Sequence, residues 1–589
     1  MGKVQEVLAK LNTQATPISE VADQLYISVQ QDQPDASLPT EATDIRHWLI
    51  TMDAANSSQG RSTPTASAKT LLRTLRNTNL TDCSPSDRLQ IMDVYEKPFT
   101  RVMQSLDARY LYLDFPLQTD AEDTFQLAVT LCQEMAIGYK IAVVDTLDGQ
   151  SNRRRLFAKS RTATRTKRQR AISSAIRHLT HLALRHSQIN RNWPVQIWQD
   201  LNALACIARH DRANRLTDKA NIVQLTVDQQ YACLCALSVL HQNNLNAEQT
   251  RSLFVKLTRY SDLVTLHSTA QQVNQQLSNL NPEGIYSVGA DGPPVINLFR
   301  LNKPGTQLFH FRLDLLIEKL KSEAVSESDT LANTREQRKQ SRTPRSSIIT
   351  AETGLQDIYT RISLAQPVED TESQFTDLKR LLSNNIDESA ATQKPLNQRS
   401  LLNQSGISES STNFVVENES AGGMGLRWTG TGICSVQVGE LLAHCYRSGH
   451  RDGNTHSKEE ISWHLSIVRW LRTDADGELR LGVESVSQHT KAVDIVRCSN
   501  PARKSQPAAE GLLINYQPID SKARMLILPR RNYKAGETVA YRNDRHVHIA
   551  KLMESVEVSD SYQCFATREV EEEALPELTA NPDQYQLAV

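Results

Sequence analysis

Val415-Val416-Glu417-Asn418-Glu419-Ser420-Ala421-Gly422-Gly423-Met424-Gly425-Leu426-Arg427-Trp428 decides how this chain is read. An apolar run leads into Asn-x-Ser-x-x-Gly, two more glycines stand beside it, and a second apolar run follows. That texture predicts two strands joined by a compact polar elbow. Asn418 and Ser420 are two positions apart, so on an extended strand they share a face. Glycine at 423 lets a ligand or a neighbouring backbone come close.

Strand signals dominate outward from there. Ile461, Trp463, Leu465 and Ile467 alternate with polar neighbours, as do Leu479, Leu481 and Val483. The turn Asp474-Ala475-Asp476-Gly477 between them predicts a hairpin. Upstream, 346–354 reads as a strand and turn, and 367–412 is a polar, Ser/Asn/Gln-rich insertion. Downstream, short apolar runs near 512, 525, 537, 546 and 562 predict a second β unit, read as structural support, and 571–589 is an acidic tail.

The first 330 residues carry a different period. Phe125, Ala128, Val129, Cys132, Met135 and Ala136 form one helical stripe, and Ile172, Ala175, Ile176, Leu179, Leu182 and Ala183 another. A Ser/Thr/Gly/Pro stretch at 57–67 reads as a flexible connection. The predicted fold class is therefore multidomain α + β. A helical region over 1–330 is followed by an antiparallel β-barrel over 331–500 with the insertion 367–412, and then by a second small β unit over 505–570.

Composition narrows the function. At 589 residues the chain exceeds one core, and a net charge of −1 exerts no global pull on nucleic acid or acidic lipid. No window approaches the length of apolar sequence needed to cross a bilayer and the N-terminus lacks an apolar signal core, so the expectation is a cytoplasmic protein without a membrane span. The nine cysteines form no Cys-x-x-Cys, and no zinc or other metal site is expected. The basic run 152–170 contains one aromatic, Phe157, and reads as a helix face or partner-docking patch rather than a nucleic-acid footprint. His178, His181 and His186 lack a His-Glu-x-x-His pattern and read as surface or interface residues. Phosphate-binding glycine loops and nucleophile elbows are absent, which points to a non-catalytic protein with no cofactor.

The elbow has companions in order along the chain. Arg338-Lys339-Gln340-Ser341-Arg342, flanked by Arg335 and Arg345, precedes the first predicted strand. Ser462-Trp463-His464-Leu465-Ser466-Ile467-Val468-Arg469-Trp470-Leu471-Arg472 and Gly477-Glu478-Leu479-Arg480-Leu481-Gly482-Val483-Glu484 follow. Together, over roughly 331–490, this set resembles PilZ domains, small β-barrels that pair Arg-x-x-x-Arg with Asn/Asp-x-Ser-x-x-Gly and bind cyclic di-GMP. The resemblance implies cyclic di-GMP as ligand and Arg338, Arg342, Asn418, Ser420 and Gly423 as its binding residues. Arg335, Arg345, Arg469 and Trp470 are additional candidates.

The chemistry suits the types. Arginine offers a planar fork to phosphate or the guanine O6/N7 edge, and its flat face stacks on a base. Asn418 can accept from guanine N–H groups, and Ser420 can bond phosphate or backbone. Two departures stand beside this. The gap from 343 to 417 is longer than such domains usually have, and Asn418 is neutral where many relatives carry Asp. The implied function is a signalling effector of motility, adhesion or biofilm behaviour, whose helical region relays ligand occupancy to a protein partner. The alternative is an adaptor whose barrel no longer binds nucleotide.

Overall fold

The computed structural model describes residues 25–27, 34–58, 63–151, 158–211, 225–241, 243–267, 285–289, 292–296, 307–324, 343–365, 412–420, 422–430, 434–446, 463–474, 477–497, 509–516, 523–530, 532–543 and 546–570. The chain divides into two compact units, Met1–Leu113 with Leu117–Val325, and Asp114–Pro116 with Ser326–Val589.

The first unit is built from helices α1 (Ala42–Ser58), α2 (Pro64–Leu80), α3 (Pro85–Asp107), α4 (Thr119–Ser151), α5 (Ala158–Gln188), α6 (Val195–His210), α7 (Val227–Leu240) and α8 (Ala247–Arg259). Local signals set their starts. Thr63 and Ser84 cap α2 and α3 by accepting from Ala66 N and Asp87 N, each with proline at the first helical position. Thr226 with Gln229, and Asn246 with Gln249, form reciprocal capping boxes on α7 and α8. Of the connection expected over 57–67, residues 59–62 lie outside the described residues, and its two flanks are helical. Helix α1 runs through Ser58, and Pro64 opens the next helix instead of breaking it.

Both stripes read from the sequence turn inward. Phe125, Ala128, Cys132, Met135 and Ala136 of α4 are buried and Val129 partly so, and Ile172, Ala175, Ile176, Leu179, Leu182 and Ala183 of α5 are buried. Three expectations change. First, Thr119–Leu147 of α4 is long and apolar enough to cross a membrane by length and composition, with 61% of its most apolar stretch buried within the protein. Second, His178 and His186 are buried, and His178 Nε2 lies 3.0 Å from Glu96 Oε1. Third, the basic run is partly consumed internally: Arg168 is buried and paired with Asp211 at 2.6 Å. The region also contains a small antiparallel sheet in the order β2-β1-β3, from β1 (Ile285–Gly289), β2 (Val295–Ile296) and β3 (Gln307–Arg312), followed by α9 (Asp314–Ala324). These strands are two to six residues long, too short for a period to register.

The second unit holds two closed six-stranded barrels. The first comprises β4 (Thr343–Thr353), β5 (Thr412–Ser420), β6 (Gly423–Trp428), β7 (Leu441–Tyr446), β8 (His464–Thr473) and β9 (Leu479–Ser487), in the order β4-β5-β6-β9-β8-β7, with helix α10 (Leu355–Ala365) after β4. The second comprises β10 (Thr490–Arg497), β11 (Ala509–Tyr516), β12 (Ala523–Pro529), β13 (Thr538–Asn543), β14 (His546–Val558) and β15 (Tyr562–Glu569), in the order β10-β11-β12-β15-β14-β13. Strand β10 falls inside the range 331–500 read as one barrel, yet it pairs with β11 and β13 and closes the other. All the pairings are antiparallel, so closure leaves no free edge to aggregate.

The barrels share an apolar core. Leu441, Ala443, Trp463, Leu465 and Ile467 of the first pack with Leu512, Ile514, Met525, Ile527 and Tyr562 of the second, and α10 adds Leu355, Ile358 and Ile362. The Tyr359 hydroxyl donates to Asp494 Oδ1 at 2.7 Å, tying α10 to β10. Fold class α + β, a helical region and then β-barrels, thus follows the strand and helix periods of the sequence.

Candidate functional site

The elbow read from the sequence is the β5–β6 hairpin. Ser420 pairs with Gly423 and Asn418 with Gly425 across it, and Ser420 Oγ donates to Gly423 O at 3.1 Å. Gly423 has φ +158°, and a Cβ there would stand 2.0 Å from the Val483 carbonyl oxygen. Backbone from β9 presses on this position, so glycine is needed for the approach itself.

The pairing continues sideways into a single rung. Asn418 of β5 faces Gly425 of β6, Gly425 faces Gly482 of β9, and Gly482 faces Trp470 of β8. The end members fold over the glycines. A Cβ on Gly425 would lie 2.9 Å from Asn418 Nδ2, and one on Gly482 would lie 1.9 Å from Trp470 Nε1. The result is a floor of two glycines walled by an amide and an indole.

This floor is on the outside of the barrel. The adjoining positions Val416, Leu426, Leu471 and Leu481 are fully buried inside it, and side chains alternate along a strand. One outward rung further, about 7 Å along the strands, Arg427, Arg480 and Arg472 stand in register. Three like charges side by side repel, and Glu417, Glu478 and Asp474 offset them. Arg427 is 3.2 Å from Glu417 and 3.4 Å from Glu478, Arg480 is 2.7 Å from Glu478, and Arg472 is 2.9 Å from Asp474. The hydrogen bond to Glu478, with Glu417 beside it, raises the Arg480 pKa.

On the other flank Arg469 reaches Glu484 at 2.6 Å and Glu557 at 2.8 Å. Burial opposes its charge, but the two carboxylates outweigh that and raise its pKa. Arg345 pairs with Glu419 at 2.5 Å, and Tyr446 Oη donates to the same carboxylate at 3.3 Å.

Of the residues singled out from the sequence, Asn418, Ser420, Gly423 and Trp470 lie on or beside the floor, and Arg345 and Arg469 at its margins. Arg335, Arg338 and Arg342 lie outside the described residues. The strand that follows them starts at Thr343, paired with Glu419, and Pro344 is paired with Asn418. Sequence reading missed Gly425 and Gly482 as floor and Arg427, Arg472 and Arg480 as a charged rung. Glycine two positions after Gly423, and glycine inside the apolar alternation Leu481-Gly482-Val483, were the available signals.

The two glycines leave room for the Asn418 amide and the Trp470 indole to lie against the sheet, which covers the glycines and turns the amide and the ring outward. The Asn418 amide donates and accepts in one plane, as a base edge does, and an indole face or edge suits a purine. Among the described residues the arginines nearest the floor are already faced by carboxylates, so the floor itself is close to neutral.

Comparisons with known proteins match both regions of the chain. Residues 324–491 match the model of the cyclic-di-GMP receptor FimW, middle PilZ domain, and residues 44–272 that of the cyclic-di-GMP receptor FimW, N-terminal domain. The chain is similar to the cyclic-di-GMP receptor FimW of Pseudomonas aeruginosa, 21% identical over 547 residues, which cover 84% of this chain and 85% of that one. The chain carries a PilZ domain, and the first barrel is that domain.

Proposed function

We propose that this protein is a non-catalytic effector that binds cyclic di-GMP on the outer face of its first barrel. The observation that carries the reading is the rung Asn418–Gly425–Gly482–Trp470. It offers a guanine a hydrogen-bonding amide and an aromatic surface in one line, both laid on the two glycines. Ser420 holds the hairpin turn in shape by its bond to Gly423 O, and Gly423 keeps β9 close.

The ligand is a dianion, and the arginines of the floor are balanced by Glu417, Asp474 and Glu478. Attraction must then come from additional cations. Arg338 and Arg342 supply it in this reading, with Arg335 beside them. Their segment joins β4 at Thr343, next to the Asn418 end of the floor. Guanidinium forks on phosphate form short, charge-assisted bonds. Ligand capture by that segment changes the state of the barrel, and the helical region passes the change to a protein partner.

Calorimetric titration of the full chain with cyclic di-GMP, beside Arg338→Ala/Arg342→Ala, tests the proposal. Micromolar or tighter binding that the double variant loses supports it. Equal affinity in the variant removes the two arginines from the site. No heat and no thermal shift in the wild type favours the adaptor reading, in which the barrel mediates protein contacts only.

A further inference from the structure

The second barrel contributes a side chain to the margin of the floor. The register of β8 against β9 shifts between Val468 and Trp470, so Arg469 has no single partner opposite it. Such bulges re-aim a side chain. The neighbouring residue Trp470 walls the floor, whereas the Arg469 guanidinium turns to Glu484 of β9, the residue in register with Gly423. Its other edge takes Glu557 of β14 through a fork, Nη1 to Oε1 at 2.8 Å and Nη2 to Oε2 at 3.2 Å. Glu557 also sits at a register shift, between β14 and β15. One half-buried guanidinium therefore joins a strand of the ligand floor to the second barrel.

We propose that Arg469 couples occupancy of the floor to the second barrel, because ligand phosphate competes with Glu557 for its guanidinium. This rests on the cyclic di-GMP reading. A carboxylate and a phosphate accept the same planar fork, so the two exclude each other on one arginine. Competition is reciprocal: whatever holds Arg469 on Glu557 weakens ligand binding, and bound ligand loosens β14. Leu465 and Ile467 of the same strand β8, with Trp463 just before it, lie in the core shared with Ile514, Met525, Ile527 and Tyr562. That packing keeps the barrels together while the ion pair exchanges. Glu484 and Glu557 both restrain Arg469 in the free protein, which leaves it held but available.

The test is calorimetry with cyclic di-GMP on the full chain and on Glu557→Gln, Arg469→Met, the double variant, and Glu554→Gln. The last removes a charge from an exposed position of the same strand. Partly exposed pairs are worth up to about 1 kcal/mol each, so Glu557→Gln is expected to bind about twofold to fivefold tighter. Glu554→Gln should match the wild type, and the gain from Glu557→Gln should vanish when Arg469 is already methionine. Ligand should also speed amide exchange over 546–558 in the wild type but not in Arg469→Met. A Glu557→Gln affinity equal to wild type, or the same gain with and without Arg469, overturns the coupling alone. A wild-type chain that binds no cyclic di-GMP overturns the coupling together with the function it rests on.

Discussion

At Gly423 an added methyl would stand 2.0 Å from the Val483 carbonyl oxygen, and at Gly482 1.9 Å from Trp470 Nε1. The two obstacles differ in kind. The first is backbone in the middle of a ladder and cannot move without breaking register. The second is a side chain on an outer face, free to rotate away. Gly423→Ala should therefore cost about 1–3 kcal/mol in barrel stability by overpacking, read as a lower midpoint in urea. Gly482→Ala should leave that midpoint nearly unchanged, shift tryptophan fluorescence as the indole swings out, and weaken cyclic di-GMP binding. His444 gives a pH signature at the same scale. Burial, then His464 stacked on it at 5.3 Å, pushes its pKa down to about 3, against 6.5 for an exposed imidazole. Below pH 6.5 the unfolded chain binds a proton that the folded barrel refuses. Stability is thus expected to fall with acidification between pH 6.5 and about 3, by at most about 1.4 kcal/mol per pH unit for this group. His444→Leu should flatten that slope in barrel melts recorded from pH 7 to pH 4. Residue types within one hairpin were legible in the sequence, since Asn418, Ser420 and Gly423 are neighbours along the chain. Gly482 and Arg480 reach the same face from β9, and short-range pattern carries no information about which strand lies alongside.

Elements were legible in proportion to their length and period. The stripes of α4 and α5 announce themselves over several turns, and the Asp474–Gly477 turn announces the β8–β9 hairpin. The three short strands β1–β3 offer no period and were read as part of a helical region. Within α4 the apolar pattern also hides an ion pair buried on both sides. Lys140 is buried and donates to Asp200 Oδ2 of α6 at 2.7 Å and to the Tyr26 carbonyl, while Tyr26 N donates to Asp200 Oδ1 at 2.9 Å. A buried pair of this kind is costly to halve, because the survivor keeps its charge without a partner. Lys140→Met should destabilise the helical unit by about 3–5 kcal/mol, seen as an earlier loss of helical circular dichroism in denaturant. Lys140→Met/Asp200→Leu should recover most of that loss. A single variant as stable as wild type would show the pair to be no clamp on the segment around Tyr26.

At the scale of the molecule, sequence order and spatial order part company. The first barrel closes by bringing β4 beside β5, which follows it only at Thr412, and beside β7, and β10 leaves the first barrel's range to close the second. Alternation says which face of a strand is buried; it does not say against which strand, so closure and the boundary between barrels were not readable from it. The same ambiguity concealed the shared core. Ile514 of β11 is fully buried, and it belongs to one cluster with Leu465 and Ile467 of β8 and Ile358 of α10. A second β unit serving only as a separate support would lose its own packing when this residue is truncated, and nothing else. A common core behaves otherwise, since a cavity there removes contacts from both barrels at once. Ile514→Ala should cost about 2–5 kcal/mol and raise amide exchange in β8 and β9 of the first barrel as well as in β11 and β12 of the second. If only the second barrel's amides respond, the barrels fold as independent units, and the glycine rung on the first owes none of its stability to the second.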